Sequence, residues 1–407
     1  MASSEKFKKI VGTAIAATGI GFLSWVLYLS LPSFGDISDL PEYYAPARMI
    51  VAGQGSSACN FDAVAQAEHQ SFPSMRERVV ALYVPPPGLA LISPIGFVPV
   101  SIIPALWKAF MIGCLCASVW FIRRAVNLDY RQTCYLIAGI AFSDACFEAL
   151  KIDQMAPLLL LSFSSAIYFL QAGKEIPAGL MLSLMILKPQ QILPFGAYLI
   201  ASKRWKTAAV AVVVLAVLTA ISLVQVGATG YHDYAEMVRS PLAVLRQQPE
   251  LTPTFRGQML RLFPDQAGII FGISSVLELG AILLGFALGW RWKDRDKAIL
   301  LGVLTMMPIA VVFSLHCHLY DLLLLAPAVV LFFMDTVLDT SAIFKTLVLV
   351  GGMTFMTGIS VQLHYEYMLK GGKFNVLFWE LLAFAIAILV VALRQTKVKS
   401  PVAEPGS

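Results

Sequence analysis

Residues 207–226 read TAAVAVVVLAVLTAISLVQV, an apolar run of twenty residues without a charged side chain. About 20 such residues, wound into a helix, cross the roughly 30 Å hydrocarbon core of a bilayer. Similar runs recur from residue 8 to residue 394, and 58% of the 407 residues are hydrophobic while only 14% are charged. In soluble domains, about a quarter of the residues are charged. The composition therefore excludes a soluble enzyme and predicts an all-α polytopic membrane protein with about ten to twelve transmembrane helices.

The first apolar run, from Ile10 to Leu31, follows the basic segment SSEKFKK. It is longer than the apolar region of a secretory signal peptide and lacks a small-residue cleavage site, which predicts a retained first span. Two shorter apolar runs between 176 and 201 are interrupted by Lys188 and Pro189. The remaining predicted spans are 99–121, 132–150, 154–172, 206–226, 267–290, 298–315, 319–336, 342–363 and 375–394.

Basic clusters indicate the orientation, because cytoplasmic loops of membrane proteins retain Lys and Arg. If the spans alternate and 176–201 returns to its starting side, one side receives EKFKK, RRAVNLDYR, SKRWK, RWKDRDK and RQTKVK. Both termini are then expected in the cytoplasm of a bacterial inner membrane, with one integral membrane domain at 1–400 and a disordered tail at 401–407. These loops also account for the net charge of +5, so no nucleic-acid partner is expected.

The outer face is expected to receive four segments, and any chemistry should lie there. They are a first loop at 32–98, a second loop at 227–265, the turn HCHLYD at 316–321 and the segment HYEYMLKGGKFN at 364–375. Within the first loop, 36–53 and 58–70 have the apolar spacing of helices that lie in the membrane interface. The prolines at 85–87, 94 and 99 indicate a broken, partly re-entrant segment, which is tolerated where it lines a protein cavity.

The first loop opens with an acidic cluster of Asp36, Asp39 and Glu42, followed by the aromatic pair Tyr43 and Tyr44. Carboxylates just outside a span suit a general base that acts on a sugar hydroxyl at the membrane surface. An acidic loop start is also typical of a solvated surface. The residues alone leave both interpretations open.

Lys188 lies between two apolar half-spans and precedes Pro189, which disfavours helix at the lysine. Ionisable groups at membrane depth are costly, and they are functional by default. A lysine in such a break suits a lipid phosphate, although it could also extend its ammonium group to the interface.

The turn at 316–321 carries His316, His318, Tyr320 and Asp321. The His-x-His pair suggests zinc, but no third and fourth ligands are evident, so no metal and no other cofactor is expected. Imidazoles and a tyrosine hydroxyl that face a pyrophosphate-like or sugar ligand, or plain helix-end polarity, remain alternatives. Arg246, Arg256 and Arg261 in the second loop could each meet a lipid phosphate, because guanidinium pairs bidentately with phosphate, and the sequence does not single out one of them. Cys59 and Cys317 are both expected on the outer side, where one disulfide is conceivable and two free thiols are favoured.

Five segments follow one another along the chain: DLPEYYAPARMIVAGQ, YVPPPGLALISPIGFVPVSIIPALW, IDQMAPLLLL, LKPQQILPFGAYLIASKRWK and HCHLYDLLLLAP. In this order they resemble the pattern of glycosyltransferase family 87. That family was formerly a domain of unknown function, belongs to the GT-C superfamily and includes polyprenyl-phosphate-mannose-dependent mannosyltransferases. The resemblance spans residues 36–325, which is most of the chain.

The resemblance implies a GT-C-like bundle and an inverting transferase that moves a sugar from a polyprenyl phosphate to a hydroxyl of a lipid or glycan acceptor. The sugar would be mannose or another hexose or pentose. The family's aspartate in the first loop falls on Asp39, which would act as the general base with Asp36 in reserve. In two places this chain departs from the family pattern: Asp153-Gln154 replaces Gly-Gln, and Leu315 replaces a proline. The expected donor or substrate contacts are Tyr43, Tyr44, Gln154, Lys188, Gln190, Arg256, His316, His318, Tyr320 and Asp321.

Two other classes of function share some of these features. A flippase or transporter of lipid-linked sugars would also use amphipathic outer segments and cations at membrane depth, but the chain lacks the repeats typical of secondary transporters. A polymerase or ligase that joins lipid-linked glycans would depend on loop arginines and not on Asp39. Transfer of sugar that requires Asp39 would separate these classes.

Overall fold

The computed structural model describes residues 2–30, 38–73, 84–239, 252–334, 337–338, 341, 345, 366–368 and 370–395. These residues form α-helices and short 3-10 helices, and no strand occurs among them. The predicted first span is one continuous helix, α1 (Ala2–Ser30). The other α-helices are α2 (Leu40–Val51), α3 (Phe61–Ser71), α4 (Pro86–Ile92), α5 (Ile103–Val126), α6 (Tyr130–Phe142), α7 (Asp144–Lys151), α8 (Ala156–Gln171), α9 (Glu175–Ser183), α10 (Leu193–Ala201), α11 (Trp205–Arg239), α12 (Phe255–Leu262), α13 (Ala267–Trp292), α14 (Ala298–Phe313), α15 (Ala326–Phe333) and α16 (Val376–Gln395).

The membrane character of the chain is confirmed. Within the described ranges, four helices are long and apolar enough to cross a bilayer, namely α5, α11, α13 and α16, and α6 with α7 could form a fifth, bent span. Several shorter apolar helices lie among them, including α8 and α14. The ten to twelve predicted crossings would have to include such shorter helices, and the predicted span 342–363 lies, apart from residue 345, outside the described residues. The chain is an all-α, multi-pass membrane protein.

The two helices predicted in the first outer loop are present as α2 and α3. Pro41 stands in the first turn of α2, where a missing N–H is harmless. Asn60 caps α3, because its side chain accepts a hydrogen bond from the N–H of Ala63. The two helices pack against each other, and α2 also packs against the 3-10 helix Ser93–Phe97. The first outer loop therefore folds back onto the membrane domain.

The predicted break at Lys188 is also present. Lys188 has φ −145° and ψ 71°, between the 3-10 helices Leu184–Leu187 and Pro189–Gln191. The proline that follows excludes helical geometry at the lysine, as expected. Helices α9 and α10 continue the chain on either side of this break. Lys188 is thus held in irregular backbone inside the helical bundle.

Three predicted segments differ from the structure in shape. The span predicted at 132–150 is bent by 55° between α6 and α7, where Ser143 has an extended conformation and caps α7. The span predicted at 206–226 ends as expected at Gly227, whose non-helical φ of 66° favours glycine, and the loop predicted from 227 begins with a second helix that runs to Arg239. The span predicted at 319–336 begins as a 3-10 helix, Leu319–Leu325, before α15.

Close helix packing holds the second half of the bundle together. Gly285 and Gly289 of α13 lie against the backbone carbonyls of Pro194 and Tyr198 in α10, and a Cβ atom at either glycine would approach these oxygens to 2.1–2.2 Å. Small residues four apart allow such close approach of helices in membranes. Helices α7 and α8 pack against the 3-10 helix Leu319–Leu325. This packing brings the first half of the chain to the turn at 316–321.

Candidate functional site

Asp39 lies directly before α2, with its backbone N–H bonded to the carbonyl of Ile152 at 2.8 Å. Its side chain does not cap the helix. Instead, Oδ2 accepts a hydrogen bond from Nε2 of Gln154 at 2.5 Å, and the residue is only 8% exposed. The positive end of α2 and the amide N–H both favour a negatively charged carboxylate at this place. Asp39 is therefore a fixed, largely buried carboxylate.

Tyr43, one turn into α2, is bonded to the same amide. Its hydroxyl donates to Oε1 of Gln154 at 2.9 Å, and its ring packs against that of Trp107 with 5.8 Å between ring centres. Burial and the charges of Glu42, Asp39 and Asp321 hold the pKa of Tyr43 well above its usual range. The phenol thus remains a neutral hydrogen-bond donor. Gln154 is the shared partner that fixes both Asp39 and Tyr43.

Gln154 is itself positioned by its neighbour Asp153. Asp153 has a left-handed backbone with φ 61° and is joined to Nζ of Lys108 at 2.5 Å and to the Ser38 hydroxyl at 2.7 Å. Its carbonyl accepts a hydrogen bond from the indole N–H of Trp107 at 2.8 Å. The left-handed conformation suits the glycine of the family pattern, and aspartate tolerates it better than most residues. In this chain, the ion pair with Lys108 and the hydrogen bond from Ser38 hold Asp153 in its left-handed conformation.

A buried ion pair forms the second half of the site. Nζ of Lys188 lies 2.7 Å from Oδ1 of Asp321, and the two side chains are 11% and 0% exposed. Oδ2 of Asp321 accepts from the backbone N–H of His318 at 2.9 Å, so both carboxylate oxygens are used. The ammonium group also stands 4.5 Å from the ring centre of Tyr320, within the range of a cation–π contact. Lys188 does not extend to the interface and is held inside the bundle.

His316 and His318 border this ion pair, with 4.7 Å between their ring centres. The carbonyl of His316 accepts from Nε2 of Gln190 at 3.4 Å, and the guanidinium of Arg256 donates to the carbonyl of Leu315 at 2.8 Å. Burial and the positive charges of His318, Lys188 and Arg256 hold the pKa of His316 well below its usual range. His316 is therefore a neutral imidazole at pH 7.

The two halves lie within electrostatic reach of each other. The negative charge of Asp321, from the ion pair, raises the pKa of Tyr43 together with the charges of Asp39 and Glu42. The packing of α7 and α8 against the 3-10 helix Leu319–Leu325 is the physical link. Asp39 and the ion pair of Lys188 and Asp321 therefore border the same buried tyrosines, and a carboxylate and a cation are the groups required for proton removal next to a bound anion.

Most of the predicted site residues belong to one of these halves. Tyr44 is different, because its hydroxyl donates to the carbonyl of Val98 at 2.8 Å and its ring packs edge-on against Phe72, so it anchors α2. Asp36 lies outside the described residues. Cys59 and Cys317 are both buried free thiols and form no disulfide with each other. Within the described residues, no group of three or more His, Cys, Asp or Glu side chains is arranged to hold a metal ion.

Sequence reasoning missed the groups that support Asp39. Lys108 and Trp107 are adjacent residues near the start of α5, where an aromatic and a cation are ordinary at a membrane interface. Ser38 lies next to the acidic cluster and gives no signal of its own. Only the departure from glycine at Asp153 pointed to this location. Glu68 of α3 was also missed, and it is fully buried.

The comparison with family models confirms the family and covers the middle three of the five segments, while Asp39 and the turn at 316–321 lie outside the matched range. A model of glycosyltransferase family 87 matches residues 82–314, more than half of the chain and including Lys108, Asp153, Gln154, Lys188 and Arg256. Searches of curated proteins and of solved structures found no match. The chain is therefore a membrane-embedded glycosyltransferase and belongs to glycosyltransferase family 87.

Proposed function

We propose that this glycosyltransferase takes a sugar, mannose or another hexose or pentose, from a polyprenyl-phosphate donor and transfers it with inversion to a hydroxyl of a lipid or glycan acceptor. The observation that carries the proposal is that Asp39, held by Gln154, and Asp321, paired with Lys188, both act electrostatically on Tyr43 and Tyr320. A phosphate leaving group requires cations, and an acceptor hydroxyl requires a base. Both requirements are met by side chains of this chain.

In the proposed reaction, Asp39 removes the proton from the acceptor hydroxyl as that oxygen attacks the anomeric carbon of the donor sugar. The bond between the anomeric carbon and the phosphate oxygen breaks, and the polyprenyl phosphate leaves with the electron pair. Gln154 keeps Asp39 oriented through its bond to Oδ2. A single displacement inverts the anomeric carbon and needs one base, unlike the paired carboxylates of glycoside hydrolysis.

In this proposal, the donor phosphate binds beside Lys188. An ammonium group has three N–H donors, and Lys188 directs one toward Asp321, so others remain for a phosphate. Arg256 and the neutral imidazole of His316 would add donors from the neighbouring backbone segments. Tyr320, Gln190 and His318 are proposed to lie beside the bound phosphate.

We further propose that the site faces the outer side of a bacterial inner membrane and that both termini are cytoplasmic. The positive-inside distribution of the basic clusters supports this orientation. An outer-face enzyme would have no access to cytoplasmic nucleotide sugars, which favours a lipid-linked donor. Residues 1–400 would then form one integral membrane domain.

The test is transfer by the purified protein in lipid nanodiscs. Polyprenyl-phosphate sugars and nucleotide sugars should be offered separately with a membrane lipid extract from a strain that lacks the gene, and products identified by mass spectrometry. Incorporation from the polyprenyl-phosphate donor alone is expected. Incorporation from a nucleotide sugar would contradict the proposed donor, and lipid movement without a new glycosidic bond would indicate a flippase.

A further inference from the structure

Glu68 is a carboxyl group with no obvious place in a folded protein. It is 0% exposed, and neither of its carboxylate oxygens has a hydrogen-bond partner within the described residues. Burial of an unpaired carboxylate is so unfavourable that such a group normally takes up a proton. The interior face of an interfacial helix is usually filled by an apolar side chain. The presence of glutamate here therefore calls for a functional reason.

The position of Glu68 connects it to Asp39. Val64 and Glu68, one turn apart, are the buried residues of α3, and this helix packs against α2, which follows Asp39. The ring of Tyr44 on Phe72 fixes the end of α3 against α2. Burial raises the pKa of Glu68 from 4.5 to about 8, and the negative charge of Asp39 adds to this effect. Glu68 is therefore largely protonated at pH 7.

Other charged groups surround this pair on the neighbouring helices. On α2 they are Glu42, Tyr43 and Arg48, of which Arg48 is exposed and donates to the carbonyl of Gly96. On α3 itself they are Asp62, which is exposed, and His69. From α11, Asp233 reaches the side chain of Asn60 at 3.4 Å. Burial and Asp39 are the causes that raise the pKa of Glu68.

We propose that Glu68 is a second functional carboxyl of the site, which stays protonated on the helix packed against α2 and so keeps a further negative charge from repelling the anionic lipid donor. The inference rests on the proposed function, because it assumes a donor that carries a phosphate. Glu68 is a positioning residue in this role, since it acts through charge and not by contact with substrate. It makes donor use dependent on pH in the range where Glu68 loses its proton.

The size of the effect follows from electrostatics. A unit charge about 10 Å from an anion, in an effective dielectric of about 20, changes a binding constant by roughly tenfold. The phosphodiester of a polyprenyl-phosphate sugar keeps one negative charge throughout this range, so the donor does not titrate. The donor KM of the wild-type protein should therefore rise roughly tenfold between about pH 7 and pH 9.

The experiment compares Glu68→Gln and Glu68→Met with wild type, using a polyprenyl-phosphate sugar as the donor at each pH. Both variants are neutral at every pH and should keep the low donor KM, whereas Asp62→Asn on the exposed face of α3 should follow wild type. A wild-type rise in KM that persists in both Glu68 variants would overturn the proposal. Failure of both variants to fold would also overturn it, because Glu68 would then be needed for structure.

A second readout does not depend on sugar transfer. The folded protein holds a proton on Glu68 that the unfolded chain has released, so the stability of wild type should fall as pH rises from 4.5 to about 8. Glu68→Met should remove that part of the pH dependence, which unfolding in mixed micelles measures. If this slope is present but no sugar is transferred from any polyprenyl phosphate, the proposed function fails while the protonation of Glu68 stands. If the slope is unchanged in Glu68→Met, the proposal itself fails.

Discussion

The ion pair between Lys188 and Asp321 gives a quantitative prediction about stability. The two groups are 2.7 Å apart, and their side chains are 11% and 0% exposed, so Lys188→Met would leave a buried carboxylate without its cation. Removal of one partner from such a pair costs about 3–5 kcal/mol. The double variant Lys188→Met/Asp321→Asn has no uncompensated charge, so it should regain about 2–3 kcal/mol of the loss.

The assay is unfolding in mixed micelles, followed by tryptophan fluorescence, for both single variants and the double variant. The pair of Arg204 and Glu175 is a matched control, since its atoms are 3.6 Å apart and its side chains are 34% and 21% exposed. Arg204→Met should cost less than about 1 kcal/mol. Additive losses for the Lys188 and Asp321 variants would refute the coupling between the two groups. The folded double variant should also bind a polyprenyl-phosphate sugar more weakly than wild type, because the cation is gone.

Two further predictions concern orientation and support of the base. The exposed Cys116 is first replaced by serine. Cysteines placed at the exposed positions Gln54 and Lys370 should then react with an impermeant thiol reagent from outside, and a cysteine at Asp294 should not. Labelling at Asp294 alone would reverse the topology. Asp153→Ala should destabilise the protein by about 1–2 kcal/mol through the left-handed backbone at this residue alone, and it should slow sugar transfer. Wild-type stability and rate in this variant would show that the conformation of Asp153 has no role.

Features set by local chemistry were predictable from the sequence. Twenty uncharged residues at 207–226 predict a spanning helix, and Pro189 predicts the irregular backbone at Lys188, and the structure has both. The helices of the first outer loop followed from apolar spacing. The end of the spanning helix at Gly227 was predicted, but the second helix that follows it to Arg239 was not, because a polar segment after an apolar run is equally typical of a loop.

Features that depend on long-range pairing were not predictable. Lys188 and Asp321 are 133 residues apart, and the sequence left the lysine either facing a lipid phosphate or extending to the interface, without indicating Asp321 as its partner. Asp39 and Gln154 are 115 residues apart, and nothing in either segment indicates that one amide serves both Asp39 and Tyr43. Such contacts arise from packing of the helices, which a single sequence does not reveal. The resemblance to the family identified these segments by their order along the chain, and the structure shows which side chains are in contact.

The variant Asp39→Asn is the sharpest test of the proposed role of Asp39 as the general base. Asparagine keeps the size of the side chain but accepts no proton, and a general base contributes about 10²- to 10⁴-fold in rate. The purified variant should fold, bind the polyprenyl-phosphate sugar as wild type does and transfer sugar at least about a hundredfold more slowly, while Asp62→Asn keeps the wild-type rate. Transfer at the wild-type rate by Asp39→Asn would contradict the account and shift attention to Asp36.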